Sequence, residues 1–111
     1  MLTPELKSKW VENLRSGEYT QGVGRYRSST AKGNPCYCVL GVLFCSTMNS
    51  GNDNWWRKNQ HQEWLWVGPS ISELAGDEKS AIAIENLIED NDDLQASFAD
   101  LADVIEKNRL I

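Results

Sequence analysis

The run Cys36-Tyr37-Cys38-Val39-Leu40-Gly41-Val42-Leu43-Phe44-Cys45 constrains this chain more than any other stretch. It carries no charge and almost no polarity, so it must be buried, and the amphipathic segments on either side have to cover it. Its periodicity suits a buried strand and a buried helix alike. Divided, it reads as a short extended piece at residues 36–38, paired with residues 19–27 as a small hairpin. A helix then starts near Cys38 and carries Val39, Leu40, Val42, Leu43 and Met48 inward. Gly41 weakens such a helix by about 1 kcal/mol relative to alanine, but it also permits close approach by a neighbouring element.

Before this run, Thr3 as N-cap, Pro4 at the first helical position and Glu5 near the positive end of the dipole predict a helix. Leu6, Trp10, Val11 and Leu14 form its apolar stripe, and Ser16-Gly17 stops it. Residues 19–27 alternate around Gly22 and Gly24 and predict a glycine-relaxed strand or extended loop; residues 28–35 form a polar turn. After the run, residues 49–54 read as a loop, and Trp55, Trp56, Trp64 and Trp66 as an aromatic lid, with Trp64 and Trp66 in an extended piece. Residues 69–75 predict a short helix closed by Gly76. Ala81, Ile84, Leu87 and Ile88 predict a helical stripe that runs into a breaker at Asp90-Asn91-Asp92-Asp93. Ser97 caps the last helix, with Phe98, Leu101, Ala102 and Ile105 facing inward. The expected fold is α+β: about four helices packed around a small two- or three-stranded antiparallel sheet, in one compact domain spanning residues 1–111.

No apolar run approaches the roughly 18 residues of a membrane span, and the N-terminus lacks the pattern of a secretory signal. Three closely spaced cysteines do not suggest a disulfide scaffold, which fits a reducing cytosol. Charge is unevenly placed: residues 1–75 hold eight Lys or Arg against six Asp or Glu, and residues 76–111 hold three against ten. That acidic second part argues against direct nucleic-acid binding, which needs a basic surface.

Several site chemistries are weighed on this pattern. Cys36 or Cys38 at the start of a buried helix sits where a thiol nucleophile gains from the helix dipole, but nothing fixes the single histidine, His61, against it as a base. The alternative is that Cys36, Cys38 and Cys45 are packing residues. With His61 they would make four ligands, yet their spacing does not match paired zinc knuckles. The run from Asp90 lacks the glycine and glutamate of a calcium loop, having Gln95 and Leu101 there, and Gly22-Val23-Gly24 lacks the rest of a dinucleotide fingerprint. No metal, cofactor or catalytic residue is therefore assigned.

Two surfaces remain. Arg25, Tyr26 and Arg27 and the stretch Trp55, Trp56, Arg57 and Lys58 supply cations and indoles suited to an anionic nucleotide, or else they form a rim around buried tryptophans. Asp92, Asp93, Asp100 and Asp103 lie on the acidic part, which is either simply solvated or docks on a basic partner.

Taken in order, Leu2-Thr3-Pro4-Glu5-Leu6-Lys7, Lys9-Trp10-Val11, Leu14-Arg15-Ser16-Gly17, Tyr19-Thr20-Gln21-Gly22, the cysteine run with Leu40-Gly41-Val42-Leu43, and Ser97 to Glu106 resemble a widespread group of small proteins encoded by tailed bacteriophages. Members of that group carry paired cysteines, Leu-Gly-Val-Leu and a cysteine followed by aspartate. Here Val39 stands where a second cysteine often sits, and Ser46 follows Cys45 in place of the aspartate. The resemblance implies a cytoplasmic role in an infected bacterium. The reading it leads to is a non-enzymatic accessory protein that binds and inhibits a host or anti-phage defence factor, docking through the acidic face. A binder that sequesters an anionic nucleotide signal is the alternative, and a cysteine-dependent enzyme the third.

Overall fold

The structure is a computed structural model that describes residues 1–48 and 55–111; the loop expected at residues 49–54 lies outside the described residues. It is α+β, with six helical segments and two separate two-stranded antiparallel sheets. Helix α1 (Pro4–Arg15) starts as its sequence predicts, Thr3 Oγ1 accepting from the Leu6 N–H at 3.2 Å, and it buries Trp10, Val11 and Leu14. It packs on α6 (Phe98–Lys107), which turns Phe98, Leu101, Ala102 and Ile105 inward and is capped by Ser97 Oγ, accepting from the Asp100 N–H.

α1 also covers α2 (Val39–Thr47), the helical part of the cysteine run. Every residue from Val39 to Phe44 is buried. A helix walled in on all sides has no polar face to display, which is why its sequence shows no amphipathic period. Two contacts fix it. The Trp10 indole N–H donates to the Val39 carbonyl at 2.9 Å, and Gly41 faces the Tyr26 carbonyl so closely that an added Cβ would lie 1.9 Å from that oxygen. Gly41 is thus the price of docking the 26–29 segment onto the core.

The antiparallel strands form two separate hairpins. β1 (Arg27–Ser29) pairs with β2 (Pro35–Tyr37) in the register Arg27 to Tyr37, Ser28 to Cys36 and Ser29 to Pro35. Of the strand or extended loop expected over residues 19–27, the chain is a loop until β1 starts at Arg27. Only Gln21 bridges, in parallel, to Tyr37, because Gly24 at φ +80° turns the chain out of extended geometry before β1 begins. β3 (Trp56–Lys58) pairs with β4 (Trp64–Trp66), setting Trp56 opposite Trp66 and Lys58 opposite Trp64. The aromatic lid follows from this register: Trp66 stacks on Phe44 at 4.5 Å, with Trp56 at 5.0 Å from Trp66.

The remaining helices are α3 (Ile71–Ala75), α4 (Glu78–Glu85) and α5 (Leu87–Asp92). Asp90-Asn91-Asp92-Asp93 is not the expected breaker: α5 runs through Asp92, and the interruption falls earlier, at Asn86. The cause is Asn91, which is fully buried. Its Oδ1 accepts from the Val39 N–H at 3.2 Å and from Gln21 Nε2 at 2.9 Å, while its Nδ2 donates to the Gly22 carbonyl at 2.9 Å and to Asp92 at 2.7 Å. Cys38 gives α2 no side-chain cap, so Asn91 caps that helix from 52 residues away. Ser46 likewise serves the interior: it is buried, donates to the Val42 carbonyl at 2.7 Å and accepts from Asn13 at 2.9 Å.

Candidate ligand-binding groove

The edges of β1 and β4 approach one another without backbone pairing, and side chains bridge the gap. The β3–β4 register puts Trp56 and Lys58 on one face, with Trp64 opposite Lys58, and Arg27 reaches Trp56 and Trp64 from the other hairpin. The Arg27 guanidinium carbon lies 3.7 Å from the Trp64 ring centre, 5.5 Å from Tyr37 and 5.6 Å from Trp56. Lys58 Nζ sits 4.9 Å from the Trp64 ring. Arg27 makes no salt bridge among the described residues, and its Nε is buried with no hydrogen-bond partner. Arg25 differs, being ion-paired with Glu63. The Glu63 carboxyl is held below its ordinary range by the Asn59 side chain and then by Arg25.

Trp64 is a wall shared by three clefts. A cleft of about 190 Å³ lies between the hairpins, lined by Arg25, Arg27, Ser28, Ser29, Gln62 and Trp64 together with Glu63. A second, of about 330 Å³, is bounded by Arg25, Tyr26, Cys38, Ile88 and Asp92. The third, of about 560 Å³, runs along Tyr26, Phe44, Trp64 and Trp66 to Ile71 and Glu85. The first carries the cations Arg25 and Arg27, the second Arg25 with Asp92, and the third aromatic walls with Glu85.

Of the basic and aromatic residues singled out in the sequence, Arg25, Arg27, Trp56 and Lys58 come together here. Trp55 and Arg57 do not. Arg57 has the opposite strand parity and donates from Nη1 to the Trp56 carbonyl at 2.9 Å, while Trp55 packs edge-on to Trp66 and faces a cleft with Thr3, Lys9 and Leu74. Tyr26, singled out with Arg25 and Arg27, lines two of the clefts, whereas Trp64 and Glu85 line them without having been among the ligand residues expected. The alternation Trp64-Leu65-Trp66 was the available signal for Trp64.

The acidic candidates are divided. Asp92 is half-buried in the cleft with Arg25, and Asp103 is engaged by Arg15 at 2.6 Å, beside Glu106 at 2.9 Å. Asp93 and Asp100 are exposed. The thiols are placed for packing. Burial pushes the Cys38 and Cys45 thiols above their ordinary range, the reverse of what a nucleophile needs, and Cys36 Sγ lies 3.0 Å from Ser28 Oγ. His61 is exposed on the β3–β4 turn, 3.5 Å from Gln60. Among the described residues no cluster of His, Cys, Asp or Glu is arranged to hold a metal ion, and no helix is long and apolar enough to cross a membrane.

No curated protein and no solved structure gives a significant match to this chain. Residues 2–109 match the model of a domain of unknown function, DUF8296, and the chain belongs to that family.

Proposed function

We propose that this chain is a non-catalytic binding protein whose groove along Trp64 takes an anionic, planar, nucleotide-like ligand. Arg27 is the observation that carries the reading. A guanidinium stacked on indole and phenol rings keeps its in-plane donor edge for an anion, and Arg27 lines the cleft between the hairpins without a salt bridge among the described residues. Lys58 adds a second cation beside the same indole, and the aromatic walls offer stacking surface.

The test is tryptophan fluorescence titrated with inorganic phosphate and with nucleoside monophosphates, diphosphates and cyclic nucleotides. Saturable quenching is expected, weakened at least tenfold by Arg27→Ala, or about 1.4 kcal/mol. No saturable change across the whole panel removes the reading.

A second reading is favoured by Leu94. It is 70 % exposed and stands directly after Asp92 and Asp93, an apolar anchor with an acidic rim of the kind that docks on a basic protein surface. In this reading the chain inhibits a bacterial host or defence protein in an infected cell, through Leu94, Asp93 and Asp100. Capture of one bacterial protein by the wild type and its loss in Asp93→Lys/Asp100→Lys would support it; equal capture by both would not.

A further inference from the structure

We infer that the cleft between the two hairpins selects a phosphodiester over a phosphomonoester, and that the ion pair of Arg25 with Glu63 sets this choice. This deepens the proposed function and rests on that cleft being the anion site. Arg25, Arg27, Glu63 and Trp64 all line the one cleft, of about 190 Å³. Pockets that enclose a whole small ligand run from roughly 300 Å³ upward, so this one has room for a phosphoryl group, with the nucleoside extending out along Trp64.

The charge on the lining decides between anions. Glu63 is ion-paired with Arg25 and stays ionised, its carboxyl held below the ordinary range first by the Asn59 amide and then by Arg25. Arg27 makes no salt bridge among the described residues, and its guanidinium carbon lies 3.7 Å from the Trp64 ring centre. Lys58, although 4.9 Å from the same ring, does not line this cleft. Among the described residues the lining therefore holds one uncompensated cation. A phosphodiester carries a single negative charge on two non-bridging oxygens, which match one guanidinium and its parallel in-plane donors. The Ser29 hydroxyl and the Gln62 amide, both exposed on the same lining, offer further donors. A phosphomonoester carries nearly two charges at neutral pH, because its second proton leaves at about pH 6. Taking an ion out of water costs in proportion to the square of its charge, whereas its attraction to one cation only doubles. The added charge also meets the Glu63 carboxylate on the same wall.

The test compares adenosine 5′-monophosphate with two diesters of the same base, adenosine 3′,5′-cyclic monophosphate and adenylyl-adenosine. Binding is read by calorimetry at pH 7.5 on the wild type, Glu63→Gln, Arg25→Gln and Arg27→Ala. The tighter diester is expected to exceed the monoester at least fivefold, and which of the two it is tells whether the phosphate comes from a closed ring or from a chain. Glu63→Gln releases Arg25 and should strengthen the monoester at least fivefold more than the diesters. Arg25→Gln leaves Glu63 uncompensated and should weaken all three, the monoester most, while Arg27→Ala weakens all of them. An ion pair that only held the hairpins together would make Glu63→Gln and Arg25→Gln act alike, whereas the charge account makes them opposite. Arg27-dependent binding in which the monoester matches or exceeds both diesters would overturn diester selection and leave the nucleotide site standing. A preference unchanged in Glu63→Gln, or the same loss in both ion-pair variants, would overturn the role of the pair. No binding of any of the three would overturn both readings together.

Discussion

The helical side of the molecule and the hairpin side are built by different means. α1 and α6 bury apolar stripes and carry their own caps, so each is specified by residues close in sequence. The hairpins are three residues per strand, and what holds them together is long-range: Arg27 on Trp64, Arg25 with Glu63, Trp66 on Phe44, and the Tyr26 carbonyl against Gly41. Short two-stranded ribbons are barely stable alone, so the hairpin side depends on the helical side for its shape. The groove that results can be altered without dismantling the core.

The largest effect should come where the two sides meet. Gly41→Ala drives a Cβ into the Tyr26 carbonyl and should cost about 3 kcal/mol, measured by chemical denaturation, with loss of ligand binding as well. Asn91→Ala should follow at about 2–3 kcal/mol. It leaves the Val39 N–H and the Gly22 carbonyl without their partner and uncaps α2 from outside.

Trp64→Ala sharpens the contrast. The side chain is half-buried and belongs to all three clefts, so binding should be abolished while stability falls by only about 1–2 kcal/mol. Ser97→Ala does the opposite, costing about 1 kcal/mol through the lost cap of α6 with ligand affinity unchanged. Equal losses of stability and binding in both variants would break the division.

Titration should give the smallest effects. Glu63, Asp77 and Glu106 have folded values below their unfolded ones, held there mainly by hydrogen bonds from Asn59, the N-terminal amine and Arg15 respectively. Their contribution is present above the ordinary carboxylate range, about pH 4–5, and is lost as pH falls through the lowered values. Cys38 and Cys45 behave inversely: the neutral thiol is favoured by burial, so their contribution is full below about pH 8.5 and fades as pH rises through the raised values. A melting-temperature profile should therefore be flat between these limits and decline gently outside them.

How far the sequence was legible follows the same division. Thr3-Pro4-Glu5 and Ser97 with its apolar stripe mark helices by local chemistry, and both helices start where expected. The start of α2 at Cys38 was also readable, as was the close approach at Gly41, though not its partner. Asn91 was not readable, because a lone asparagine among aspartates looks like solvent-facing polarity and its partners lie 52 and 69 residues away. Of the strand or extended loop expected at residues 19–27 the loop is what forms up to β1, because alternation cannot reveal the turn that Gly24 imposes. Arg27, Trp56 and Lys58 were singled out by composition. Their separation from Trp55 and Arg57 needed the pairing register of β3 with β4.

The five tryptophans allow the central claim to be measured directly. In a proton–nitrogen correlation spectrum each indole N–H reports its own surroundings, and Trp10 is a built-in control, fully buried and bonded to Val39 inside the helical core. Titration with nucleoside monophosphates should shift the Trp64 and Trp66 resonances saturably and leave Trp10 unmoved. No movement of Trp64 and Trp66 at millimolar ligand, or a shift shared equally by all five, would contradict a binding groove formed along Trp64.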